Sequence, residues 1–264
     1  MPQNMFIDPL KSMSSYNKLI DAIESKTSTI SIHGLSEENI GHLAYGLNKH
    51  TQRQILIITS NEIKAKKIFE DLKNFDNNFV ENYPSRDLVF YDIDAFSYET
   101  THERIKVLSR LNNGENIVVV TYVEALLNKV VNSNIFDSYT EELKYGEVID
   151  LDNLLNGFVI KGYERVNMVE GKGQFSLRGG IIDFFPVNSE NPYRIELFDD
   201  EIDSIRTFDI ATQRSIEKIF SVSIPPAKEI LILEEFKDEV VSSIDRDLKN
   251  ILKKFQKSAK ERIS

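Results

Sequence analysis

Residues 34–41, GLSEENIG, have the place and length of a phosphate-binding turn, whose working form is G-x-x-x-x-G-K-[ST]. In that form backbone amides cradle phosphate oxygens, a lysine neutralises them and a hydroxyl side chain holds magnesium. Counting from Gly34, Asn39 stands where the second glycine belongs, Ile40 replaces the lysine and Gly41 replaces the hydroxyl residue. Glu37 and Glu38 add negative charge where phosphates would lie. Nucleotide binding is therefore not expected here, and no cofactor, metal or catalytic residue is assigned. The four histidines, His33, His42, His50 and His102, never recur at the i, i+4 spacing of a helical metal pair. Asp199, Asp200, Glu201 and Asp203 lack the glycine and terminal glutamate of a calcium loop and read as a solvated turn. Tyr83, Phe90, Tyr91, Phe96 and Tyr98 offer base-stacking faces, but Asp87, Asp92, Asp94 and Glu99 among them would repel a phosphate backbone.

One surface remains. In YRIELF, a period of two puts Ile195 and Leu197 on one side of a strand and Arg194, Glu196 and Phe198 on the other. In QFSLR the same alternation separates Phe175 and Leu177 from Gln174, Ser176 and Arg178. If the apolar sides form a core, the arginines project from the opposite face together with an unexpected phenylalanine. Arg165, in YERV, is a candidate to join them. An ordinary solvated sheet face has the same pattern, yet arginine and aromatic side chains are enriched at interface centres, so a protein-binding patch is the sharper reading. Because these side chains point away from the core, their removal is expected to leave folding stability nearly unchanged.

The elements that must hold this face come from hydrophobic periodicity. From Thr27 to about Val131 short apolar runs alternate with amphipathic stretches, as in a parallel sheet with crossover helices. Strands are predicted at residues 29–33 (TISIH), 54–59 (QILIIT), 87–91 (DLVFY) and 116–121 (NIVVVT). One intervening helix carries Ile40, Leu43, Ala44 and Leu47 on one face; another, capped by Asn61, carries Ile63, Ile68, Phe69 and Leu72; a third spaces Ile105, Leu108 and Leu111 and stops at Gly114. After residue 132 glycine and proline punctuate alternating segments, the mark of an antiparallel sheet, with one helix near residues 151–160. The chain thus divides into an α/β domain over residues 1–132, an inserted α+β domain over 133–229, and a helical stretch over 230–264 that opens a further subdomain and reads as truncated.

Composition narrows the function classes. The chain has 264 residues, 41% hydrophobic, enough for ordinary cores. Its net charge of −10 disfavours a general nucleic-acid coat. The absence of cysteine removes disulfides, thiolate metal sites and thiol nucleophiles, and fits a reducing cytoplasm. Apolar runs are far shorter than the ~18 residues of a membrane span, and the first residues lack the pattern of an export signal. A cytoplasmic location is expected.

The same residues carry a resemblance. Residues 162–209, GYERVNMVEGKGQFSLRGGIIDFFPVNSENPYRIELFDDEIDSIRTFD, resemble the UvrA-binding domain of bacterial transcription-repair coupling factors. The excision-repair protein UvrB has a looser version, with a comparable YxR, Phe-x-x-Arg-Gly and Arg-x-Glu-x-Phe. HGLSEENIGHLAYGL, YPSRDLVFYDIDAFSYETTHERIKVLSRL and IVVVTYVEALL follow in the order of the UvrB-like module of the coupling factors. The lost phosphate-loop lysine, and a span between Tyr83 and Thr101 too short for UvrB's DNA-gripping hairpin, favour the coupling factors over UvrB. The resemblance implies a degenerate P-loop NTPase-like fold and a non-enzymatic adaptor that recruits UvrA to stalled RNA polymerase during excision repair. Carried over by position, it puts UvrA contacts at Arg178, Arg194 and Phe198, with Glu196 and Arg165 beside them. RNA polymerase, DNA, ATP and magnesium would engage later domains, one of which is expected to mask the UvrA face intramolecularly. The alternatives are a UvrB-like ATPase or helicase fragment and a DNA-binding module built on the aromatics near Tyr83.

Overall fold

The computed structural model describes residues 5–86, 99–229 and 237–261. Residues up to Glu229 form one compact unit, and residues from Ile230 form a second.

The first unit opens with two helices, α1 (Asp8–Lys11) and α2 (Ser14–Glu24). Residues 29–33, expected as the first strand, are instead exposed chain with no strand partner among the described residues, Ile30 and Ile32 being partly or largely exposed. Alternation alone is not enough when no neighbouring strand supplies backbone partners. A short turn over Glu37–Asn39 leads into α3 (Ile40–Thr51), followed by β1 (Ile55–Thr59), α4 (Glu62–Lys73), β2 (Val80–Tyr83), α5 (Glu99–Asn112) and β3 (Val118–Tyr122). The sheet is parallel in the order β1-β3-β2. All five residues of β3 are buried, as its continuous apolar run suggests for a central strand. The strand β2 was not legible in the sequence, and the strand expected at residues 87–91 lies outside the described residues. Asn61 caps α4 as read, its Oδ1 accepting from the Lys64 amide at 3.0 Å. Tyr45 of α3, Ile68 and Leu72 of α4, and Val118 to Val120 share one hydrophobic core.

Two short helices, α6 (Val123–Leu126) and α7 (Ser133–Tyr139), lead to β4 (Glu141–Lys144) and α8 (Leu151–Ile160). Helix α8 is where the sequence put it, capped by Asp150, whose Oδ1 accepts from the Asn153 amide at 3.0 Å. Then come β5 (Glu164–Arg165), β6 (Gln174–Arg178), β7 (Ile181–Phe184), β8 (Tyr193–Phe198), β9 (Glu201–Phe208), β10 (Ser215–Ile219) and β11 (Ser221–Ile224). Six strands make one sheet in the order β10-β9-β8-β7-β6-β5, antiparallel except for the β5–β6 pair, and β11 pairs with β4. Helix α8 covers one face, where the Phe158 ring stacks on Phe175 with centroids 4.9 Å apart. Phe175, Ile182, Ile195 and Ile205 complete this second core. Helix α5 serves both cores, giving Val107 to the first and Ile105 to the second.

The two halves of this unit are also joined by a buried charge cluster. Arg104 of α5, fully buried, donates from Nε to Glu229 Oε1 at 2.6 Å and from Nη2 to Tyr83 Oη at 2.6 Å. Arg86 donates to the other Glu229 oxygen. Burial pushes the Tyr83 hydroxyl up to about 12, so it remains a neutral partner of the guanidinium.

In the second unit α9 (Lys237–Glu261) is a single helix. Val241, Ile244, Leu248, Ile251 and Phe255 are exposed along it.

Candidate docking surface

The face of the six-stranded sheet opposite α8 is ordered by strand register. One cross-strand row runs Ser176, Asp183, Arg194, Arg206 and the next runs Arg178, Ile181, Glu196, Ser204. Residues paired across strands share a face, so Arg178, Arg194, Glu196 and Phe198 project together, as their alternation predicts. The β6–β7 turn makes this register possible. Gly179 has φ +61°, and a Cβ on Gly180 would lie 3.1 Å from the Leu197 carbonyl oxygen, so a side chain at either position would strain the turn or push β8 away.

The two arginines are held by a residue that the alternation of β6 and β8 does not reveal. Asp183 in β7 is 1% exposed; its Oδ1 accepts from Arg194 Nε at 2.6 Å, and its Oδ2 accepts from Arg178 Nη2 at 2.6 Å and from Arg194 Nη2 at 2.9 Å. Its signal in the sequence is a lone acid inside the apolar run GGIIDFF, flanked by two strands that each carry an outward arginine. Arg194 is further fixed by its guanidinium lying over the Phe208 ring, 4.6 Å from the centroid. Its hydrogen bonds to Asp183 outweigh burial and raise its pKa, so it is charged at any working pH. Two arginines against one carboxylate leave the cluster with net positive charge.

The exposed surface is unequally shared. The Arg178 side chain is 48% exposed and that of Arg194 only 15%, whereas Phe198, ending β8, is 79% exposed. Phe198 and Arg178 thus offer contact area, and Arg194 offers an edge and a charge. Glu196 accepts from Ser204 Oγ at 2.9 Å and from Arg206 Nη2 at 3.1 Å, so it lies on the face but is already partnered.

Arg165 does not join this face. The β5–β6 register pairs it with Phe175, whose side chain is in the core, while Glu164 pairs with Gln174 on the outer side. A two-residue edge strand has too little alternation of its own to fix which side faces out, and pairing with β6 decides it.

At residues 34–41, Ile40 packs against the first core, and a Cβ on Gly41 would contact Asp71 Cβ at 3.5 Å and Leu72, so these two positions serve the packing of α3 on α4. Glu37 accepts from Lys64 Nζ at 2.7 Å, and that lysine holds its carboxyl below the usual range. Of the aromatic group between residues 83 and 98, Tyr83 is buried against Arg104, and Phe90, Tyr91, Phe96 and Tyr98 lie outside the described residues. Among the described residues no helix is long and apolar enough to cross a membrane.

Comparison with known proteins finds sequence relatives of this region. Residues 142–230, which contain every residue of the arginine and phenylalanine face, match the UvrB interaction domain. The transcription-repair-coupling factor of Bacillus subtilis (strain 168) is 36% identical over 255 residues, 96% of this chain. The chain is a relative of the transcription-repair-coupling factors. The one from Staphylococcus aureus (strain bovine RF122 / ET3-1) is 37% identical over 222 residues, 80% of this chain. The chain spans 22% and 19% of the length of these two coupling factors, about a fifth of each.

Proposed function

We propose that this chain is the UvrA-recruiting adaptor region of a transcription-repair coupling factor, acting in the cytoplasm to bring excision repair to a stalled RNA polymerase. The observation that carries this reading is the pair Arg178 and Arg194, clamped by buried Asp183 beside an exposed Phe198 within a matched UvrB interaction domain. Preorganised arginines lose little side-chain entropy on meeting a carboxylate or carbonyl, and an exposed phenylalanine at the end of a rigid strand supplies a desolvated anchor. The degenerate phosphate turn supports a binding role over an enzymatic one. Ile40 is committed to packing, and Glu37 is committed to Lys64. RNA polymerase binding and ATP-driven movement on DNA are assigned to parts of the coupling factor outside this chain.

The reading is tested by mixing the chain with UvrA and following co-elution on size exclusion, with a parallel calorimetric titration of ATP. A stable UvrA complex and no saturable heat from ATP are expected. Failure to co-elute, or micromolar ATP binding, would overturn the reading.

A further inference from the structure

We infer that the docking face continues past Phe198 to a second anchor, formed by Val148 and the aromatic pair Tyr145 and Phe220, and that UvrA meets it with an apolar recess rimmed by basic side chains. The inference rests on the docking reading above and adds residues to it.

Continuity comes from the backbone. Phe198 is opposite Glu201 in the β8–β9 pair, and Glu201 is bridged on its other side to Val148. The Ile202 amide donates to Glu147 O at 2.9 Å, the Ile149 amide to Asp200 O at 2.9 Å and the Gly146 amide to Ile202 O at 2.9 Å, so residues 146–149 extend the sheet as a further strand line. Two strand spacings put the Val148 backbone about 10 Å from that of Phe198 on the same face. At the end of this line the Tyr145 amide donates to Phe220 O at 2.9 Å, and the two rings lie 6.4 Å apart.

These side chains have no place in either core. Tyr145 is 55% exposed, Val148 65% and Phe220 68%. Single exposed apolar residues are ordinary, but Phe198 and Val148 flank Glu201 on one face, and the Tyr145–Phe220 pair follows at the end of the same backbone line, an accumulation of the kind that marks an interaction site. Its rim has a sign. Asp199, Asp200 and Glu201 in the β8–β9 turn and Glu147 beside Val148 border the patch, whereas the opposite end of the face carries Arg178 and Arg194. A docking face that is basic toward Arg178 and Arg194, and that interleaves acidic and apolar side chains around the β8–β9 turn, fixes the orientation of its partner, because reversal would bring like charges together. The partner surface must therefore be acidic toward Arg178 and basic toward the β8–β9 turn.

The test is a UvrA titration of three proteins: the unmodified chain, Phe198→Ala, and the double variant Tyr145→Ser/Phe220→Ser, each with a thermal melt. The double variant is expected to bind UvrA about tenfold more weakly, with unchanged melting. A loss for Phe198→Ala with none for the double variant overturns the second anchor and leaves the docking reading intact. A loss for the double variant alone overturns the continuity with Phe198, and no loss for either overturns both. If the double variant melts lower, Val148→Asp, which alters one exposed position, replaces it under the same criteria. Charge reversal at Glu201→Lys is expected to weaken binding further at low salt than at high salt, and an equal effect at both contradicts the basic rim on the partner.

Discussion

Arg194 and Asp183 face each other across adjacent strands, the guanidinium 15% exposed and the carboxylate 1%, with Nε to Oδ1 at 2.6 Å. A charged pair so placed is a poor source of net stability, because both groups have left water, but it fixes the direction of the guanidinium. The same carboxylate holds Arg178, so a nearly inaccessible residue orients the polar part of the proposed docking face.

Asp183→Asn is accordingly expected to weaken UvrA binding several-fold, although position 183 has almost no accessible surface. The substitution keeps the shape and removes the charge that aligns both arginines. Binding should be measured by titration at a temperature where the melt shows the variant folded. Unaltered affinity in the folded variant contradicts the orienting role.

Arg194 and Phe198 differ in what their removal does to folding. The sequence suggests that both project harmlessly from the sheet, but Arg194→Ala strips two hydrogen bonds from a buried carboxylate, with an expected cost of about 2 to 4 kcal/mol in stability. Phe198→Ala removes an exposed ring and should stay within about 1 kcal/mol of the parent. Urea unfolding of both variants checks the contrast, and equal midpoints would contradict it.

Arg104→Met leaves buried Glu229 with Arg86 as its one cationic partner among the described residues and removes a donor from the Tyr83 hydroxyl. A loss of about 3 to 5 kcal/mol is expected, since breaking a buried pair from one side strands the other charge. Chemical denaturation followed by tyrosine fluorescence reads this directly, and a midpoint within error of the parent rules out the cluster as the joint between the two halves.

The His102 ring, on α5 against Gly173, is half-buried; desolvation, with Lys172 adding repulsion, lowers its pKa from 6.5 to about 4. Between those values the unfolded chain takes up a proton that the folded chain refuses, so stability declines as pH falls across that window and levels off below it. In His102→Gln the drop in melting temperature from about pH 7 to about pH 5 should be smaller than in the parent, and an equal drop sinks the assignment.

How much of this was legible in the sequence depends on the range of the forces involved. Helix α8, the Asn61 cap of α4, the alternation of β6 and β8, and the exposure of Phe198 follow from local period and capping, and each is found where the pattern puts it. Asp183 was missed because an acid inside GGIIDFF becomes meaningful only when β6 and β8 flank β7, a relation set by tertiary pairing. Arg165 was misplaced for a similar reason, as two residues of edge strand take their facing from β6. Residues 29–33 have a strand's alternation but no partner among the described residues, and β1 takes the place beside β3 instead.

The most direct measurement of the central claim is a titration of UvrA into this chain and into Phe198→Ala under identical salt, with both proteins shown folded by their melts. A loss of about 2 kcal/mol in the variant, roughly thirtyfold in Kd, is the expected result for an exposed aromatic anchor at the centre of a docking face. Equal affinities for the two proteins would contradict the docking face, and with it the account of Arg178, Asp183 and Arg194 as its oriented polar part.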